Sequence, residues 1–358
     1  MDPAVLLTSY VVLGIILVWT SIIDIKTREV PDWLSASLIM LGFGFAIITD
    51  VVTATLGGLA IAIVLSELFI LGWFVDGFVF FPNIAAQSED KPWWTQLGAS
   101  LGLCIAAIAI SFALTELAPT IARALAGAAA GYAVGVILYW TKQWGGGDAK
   151  LLAGVGAILG FDVQYGTQVI TGIFLPAPSF VWFLALLLVC GAVYGAGWLA
   201  VLAIMYRKKF LPVYHTTLAS MRVMRIATWC VTALLLVAAV TTTIRSNALF
   251  GTLFVVLAAL TYGGFYLVVA VKAAEKSLML IQRTPAQLVA GDWVMGPVVV
   301  GKATIIPTSS AGVTEREIAA LRKAAPKKIV TIRQGVPFVP SFLLAFIVLV
   351  ALRWMVFR

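Results

Sequence analysis

Apolar residues in this chain gather into uninterrupted runs of roughly 17 to 25, the length that carries a helix across a bilayer. Val181 to Met205 is the clearest, with no charged residue along it. A backbone in hydrocarbon must satisfy its own N–H and C=O groups, so only helices and closed barrels span membranes. Barrel strands would be about 10 residues long with alternating polarity, unlike these continuous runs. With 62% hydrophobic and 11% charged residues, the chain reads as an all-α polytopic membrane protein.

Spans are predicted near Ala4 to Ile23, Trp33 to Ile48, Leu56 to Val75, Leu97 to Leu114, Ile121 to Trp140, Ala149 to Gly172, Phe180 to Tyr206, Ile226 to Ile244, Leu249 to Val271 and Ser341 to Phe357, about ten in all. The first has no basic stretch before it and no small-residue cleavage signal after it, so it reads as a permanent helix rather than a removable leader. Cys104, Cys190 and Cys230 lie singly inside apolar runs, without the spacing of a zinc or disulfide framework.

The net charge of +8 does not point to nucleic acid, because no soluble patch interleaves basic and aromatic residues. Alternating the spans collects nearly all Lys and Arg on one side and leaves only Arg123, Arg245, Arg353 and Arg358 on the other. The positive-inside rule makes the crowded side cytoplasmic. The Arg207 to Arg225 segment reads as a basic cytoplasmic loop. From Lys272 to Pro340 the chain turns polar, predicting a small α+β cytoplasmic domain before the last helix. There Thr314 and Glu317 have capping-box spacing, which predicts a helix over Glu315 to Ala324. The organisation expected is thus a core over 1–175, additional helices over 176–271, the polar domain over 272–340 and a C-terminal helix over 341–358.

Two acids stand where chemistry is expected. Asp24 sits at the end of the first span, in Asp24-Ile25-Lys26-Thr27-Arg28-Glu29-Val30-Pro31-Asp32, with Pro31 suited to open the next helix. Asp148 follows Gly145, Gly146 and Gly147, which allow unusual backbone angles or close approach. Ionisable groups at membrane depth are costly and mark functional sites. Two carboxyls sharing one site would share one proton, the arrangement by which one activates water while the other hydrogen-bonds a scissile carbonyl. Such chemistry needs no metal, cofactor or covalent nucleophile. Other acids near apolar runs, Asp50, Asp76, Glu116 and Asp162, lack such a setting and read as helix-end residues. His215 has no nucleophile beside it in sequence. Trp33, Trp140 and Trp144 read as interface anchors.

These segments resemble the type IV prepilin and preflagellin peptidases, a family of GxGD membrane aspartyl proteases. Asp24 to Asp32 is similar to the family's first-aspartate motif, and Gly145-Gly146-Gly147-Asp148-Ala149-Lys150-Leu151-Leu152 to its GxGDxKLL motif. Gly291-Asp292 and Gly335-Val336-Pro337-Phe338-Val339-Pro340-Ser341-Phe342 are similar to the C-terminal region of longer archaeal members. The resemblance implies Asp24 and Asp148 as catalytic pair, with Gly145, Gly146, Gly147, Pro31 and Lys150 shaping the site. It implies an archaeal plasma-membrane enzyme that cuts the short basic leader from pilin-like or archaellin precursors at the cytoplasmic face. Glu29 and Asp32 are the nearest carboxylates for a basic leader. No paired-CxxC domain or methyltransferase signature is present. A presenilin-like relationship fits less well, because Ile23 occupies the position where that group has Tyr and no Pro-Ala-Leu follows. A transporter or ion channel is the alternative class, though no second half resembles the first.

Overall fold

The computed structural model describes residues 3–52, 93–116, 118–141, 143–161, 179–245, 248–289, 291–307 and 312–356. Helices α1 (Pro3–Thr27), α2 (Asp32–Val52), α3 (Trp93–Leu114), α4 (Pro119–Trp140) and α5 (Gly146–Leu159) precede α6 (Ser179–Met205), α7 (Arg207–Ser220), α8 (Arg222–Ile244) and α9 (Ala248–Ser277). Strands β1 (Leu280–Arg283), β2 (Trp293–Val294), β3 (Val298–Val300) and β4 (Ala303–Ile306) follow, then α10 (Glu315–Ala324), β5 (Val330–Arg333) and α11 (Val339–Val356).

Among the described residues seven helices, α1 to α4, α6, α8 and α9, are long and apolar enough to cross a membrane. The chain is therefore a multi-pass helical membrane protein. The stretch read as a third span, 56–75, lies outside the described residues. The sixth run differs from expectation: α5 stops at Leu159 because Gly160 takes a left-handed φ of 71° and the Phe161 N–H turns to the Arg123 carbonyl (2.9 Å). Its 14 residues reach only about 21 Å, short of a hydrocarbon core of about 30 Å.

Buried small residues let α5 sit between α2 and α4. A Cβ at Gly127 of α4 would lie 2.0 Å from the Gly156 carbonyl oxygen, and one at Gly135 would lie 2.7 Å from the Ala149 Cα. On the other side, Gly154 leaves room for Leu38 of α2, whose Cβ would be 2.6 Å from an added methyl. Backbones approach this closely only where side chains are absent, and membrane helices use that approach for dispersion contact. Residues Ala149 to Leu159 are all buried as a result.

A second cluster joins distant parts of the chain. Leu13 and Leu17 of α1, Leu151 and Leu152 of α5, Phe180 and Phe183 of α6, and Phe342 and Phe346 of α11 share one core. The C-terminal helix is thus built into the N-terminal bundle.

The polar segment folds as a small α+β unit. Strands β1 and β2 both pair antiparallel with β5, in the order β1-β5-β2, and β3 pairs with β4. Leu288, Val298, Ile306, Ile318, Leu321 and Ile332 are among its buried residues. The capping box forms: the Glu317 N–H donates to Thr314 Oγ1 (3.2 Å) and the Thr314 N–H to Glu317 Oε2 (2.7 Å). The stretch read as a basic loop contains instead α7, with Phe210 buried against Leu199, Ala273 and Ala274. Its polar composition hides a helix that tertiary contact stabilises.

Candidate active site

Helix α1 continues past Asp24 to Thr27 and ends when Arg28 adopts φ 63°, its N–H returning to the Asp24 carbonyl at 2.9 Å. A left-handed residue is a common helix stop, but a non-glycine side chain there costs about 1–2 kcal/mol. Contacts hold it. The Arg28 guanidinium donates to the Gly335 carbonyl (3.0 Å) and lies 5.1 Å from the Trp198 ring centroid. The chain then turns through Glu29 and Val30 to Pro31, whose carbonyl accepts the Leu34 N–H (3.0 Å) in the first turn of α2.

The Asp24 side chain is only 4% exposed. Its Oδ2 accepts the Val339 N–H at 2.9 Å. Asp24 therefore caps the first turn of α11, whose orphan N–H groups favour an anion. Pro340 occupies that same first turn, where its missing N–H costs nothing.

Asp148 is the third residue of α5, and its Oδ2 accepts the Gly145 N–H at 3.2 Å. The charge of Asp24 acts on it, so the two carboxyls lie within electrostatic reach. The two motif segments meet directly. A Cβ at Gly147 would lie 2.7 Å from the Val30 Cβ and 3.0 Å from the Val30 carbonyl oxygen. Lys150, one turn along α5, donates from Nζ to Asp32 Oδ1 at 2.8 Å, with 8% and 72% of the two side chains exposed. Lys150 thus ties the α1–α2 turn to α5, and Asp32 already carries a cationic partner.

Of the three glycines, Gly147 has a clear steric reason. Gly145, at φ −74° and ψ 159°, has among the described residues only Asp148 Oδ2 nearby, 3.5 Å from an added Cβ. Gly146 opens α5.

Glu29 faces the α+β unit. Partial burial pushes its carboxyl up, Asp292 adds to the push and Arg283 opposes it. Asp292 itself accepts the Val289 N–H (2.9 Å) and lies 3.9 Å from Arg283.

Several contributors were not apparent from the sequence. Trp144, partly buried, packs on Phe338 and Phe342, with centroids 5.2 and 5.5 Å away. Gly191, Tyr194 and Trp198 line one stripe of α6: an added Cβ at Gly191 would sit 3.0 Å from the Phe338 ring, and Tyr194 feels the charges of Asp24 and Arg28. The spacing of three and four residues signals a common helix face, but in an all-apolar span it does not say which face matters. Asp50, read as a helix-end acid, caps α4 by accepting the Thr120 and Ile121 N–H groups (3.1 and 3.0 Å).

No protein-family model, curated protein or solved structure matches the chain.

Proposed function

We propose that this protein is a membrane aspartyl endopeptidase that removes short basic leaders from pilin-like or archaellin precursors at the cytoplasmic face. The observation that supports the reading is the packing of Gly147 against Val30, which sets the segment after Asp24 against the segment that carries Asp148, 124 positions away in sequence. One carboxylate takes a proton from water, the resulting hydroxide attacks the scissile carbonyl carbon, and the protonated partner hydrogen-bonds the carbonyl oxygen. Collapse of the tetrahedral intermediate breaks the C–N bond as the amine gains a proton. Lys150 and Asp32 act as positioning residues that hold the α1–α2 turn against α5. Glu29 supplies negative charge beside the site for a basic leader.

Precursors with a basic leader and an apolar helix are incubated with the purified full chain in proteoliposomes. Asp24→Asn and Asp148→Asn, at matched protein levels, are each expected to abolish cleavage. Retained cleavage in either defeats the paired-acid mechanism. Substrate or ion flux with no cleavage by the unaltered chain favours the transporter class.

A further inference from the structure

We propose that the Tyr194 hydroxyl donates a hydrogen bond to the substrate's scissile carbonyl oxygen as that oxygen gains negative charge. The inference rests on the endopeptidase reading above and assigns a further group to the same site.

The Tyr194 Oη is buried and has no hydrogen-bond partner among the described residues. A buried donor left unpaired costs about 1–3 kcal/mol, a cost that phenylalanine would avoid while filling almost the same volume. The hydroxyl is placed where a donor has a use. Gly191, nearly one turn earlier on α6, abuts the ring of Phe338, the residue before the Val339 N–H that donates to Asp24. Trp198, about one turn later, lies 6.0 Å from the Tyr194 ring and receives the Arg28 guanidinium. Tyr194 therefore lies between the cradle of Asp24 and the turn that follows it.

Two other buried hydroxyls are unpartnered among the described residues, Ser35 Oγ on α2 and Thr232 Oγ1 on α8. Neither lies on α6, the helix whose stripe of Gly191, Tyr194 and Trp198 meets Phe338 and Arg28. In attack by water, the protonated carboxyl supplies one donor to the developing oxyanion. A second fixed donor adds stabilisation specific to the transition state, because its bond strengthens as the oxygen becomes charged. No proton is transferred at Tyr194; the hydroxyl keeps its hydrogen throughout.

The test compares the unaltered chain, Tyr194→Phe, Asp24→Asn and Asp148→Asn on one precursor in proteoliposomes. Tyr194→Phe is expected to lower kcat on the order of 10²-fold, with KM and thermal midpoint unchanged or the midpoint slightly higher. An unchanged kcat, a rise in KM alone, or a fall in midpoint matching the loss of activity overturns the proposal. If Tyr194→Phe does not accumulate, 3-fluorotyrosine placed at position 194 keeps the shape and strengthens the donor; an unchanged kcat there overturns it equally. Loss of cleavage in both Asn variants with full activity in Tyr194→Phe removes only this assignment. Cleavage surviving in an Asn variant removes the endopeptidase reading, and this proposal with it.

Discussion

A single methyl group at Gly147 tests whether close packing between the two motif segments sets catalytic geometry. In Gly147→Ala the new Cβ would meet the Val30 Cβ at 2.7 Å and the Val30 carbonyl oxygen at 3.0 Å. Apolar carbons rest about 3.5–4.0 Å apart, so the contact must open by about 1 Å. Helix α5 has little freedom to retreat, since Gly135 and Gly154 already bring α4 and α2 against it. The α1–α2 turn must move instead, although Arg28 is anchored to Gly335 and Asp32 to Lys150. That turn follows directly on Asp24. Overpacking of this kind costs about 1–3 kcal/mol of stability, and a displacement near 1 Å at reacting groups costs on the order of 10²-fold in rate. Cleavage kinetics and thermal unfolding in the same detergent measure both effects. Gly145→Ala is the control, because its Cβ has an ordinary contact and its backbone angles suit any residue; it should stay within a few-fold of the unaltered rate. Val30→Gly removes one clash and leaves the carbonyl, so the double variant should recover part of the lost rate, with a coupling of about 1 kcal/mol. Wild-type cleavage by Gly147→Ala would refute the reasoning.

Asp24→Ala should unfold at a lower temperature than Asp24→Asn, because only alanine strands the buried Val339 N–H, at about 1–3 kcal/mol; coincident midpoints would remove the capping role. Asp50→Asn should lower stability by a similar amount, since one of its two oxygens no longer accepts from α4, while cleavage per folded molecule stays unchanged; lost specific activity would contradict that. For Glu29 the folded state holds the proton more tightly than the unfolded chain, so its contribution to stability is present at low pH and is lost as pH rises from the ordinary value of 4.5 through the raised one. Glu29→Gln should therefore gain stability relative to the unaltered chain as pH rises through that window, read by thermal midpoints; parallel curves would oppose it.

The bilayer explains why so much of the helical architecture was legible. An apolar run in lipid has one solution for its backbone, so Trp33 to Ile48 and Leu97 to Leu114 fall within α2 and α3. Thr314 and Glu317 announced α10 through local chemistry alone. Other boundaries depend on contacts that composition does not carry. Helix α1 runs beyond the predicted Ile23 because the stop is Arg28, a residue with no intrinsic preference for a left-handed angle that is held there by Gly335 and Trp198. Helix α5 ends at Gly160 in the middle of what reads as one apolar run. The Asp24 and Asp148 motifs were visible as local strings. The Asp24 bond to Val339 spans 315 positions, and nothing near either residue in sequence signals it. Tyr194 was hidden for a different reason: α6 is apolar all round, so periodicity cannot distinguish its site-facing stripe from its lipid-facing one.

Asp24 and Asp50 separate burial of an acid from catalytic capacity. Both are almost fully buried, both lie toward the C-terminal end of an apolar helix, and both cap the first turn of a helix distant in sequence. Burial plus capping is thus a structural role that either acid can fill, and it does not by itself indicate chemistry. What Asp24 adds is a neighbourhood: a second carboxyl on the segment packed against its own, a tyrosine hydroxyl with no partner among the described residues, and a turn pressed against α5 where only glycine fits. Among the described residues the Asp50 oxygens accept two N–H groups from one helix end, which holds α4. A capped carboxylate beside another acid is instead pre-organised, because α11 fixes its orientation before substrate arrives and little reorganisation remains for the reaction itself. On the endopeptidase reading proposed above the C-terminal helix positions Asp24 for the reaction, and its place in the N-terminal core through Phe342 and Phe346 keeps the cap in register with that residue.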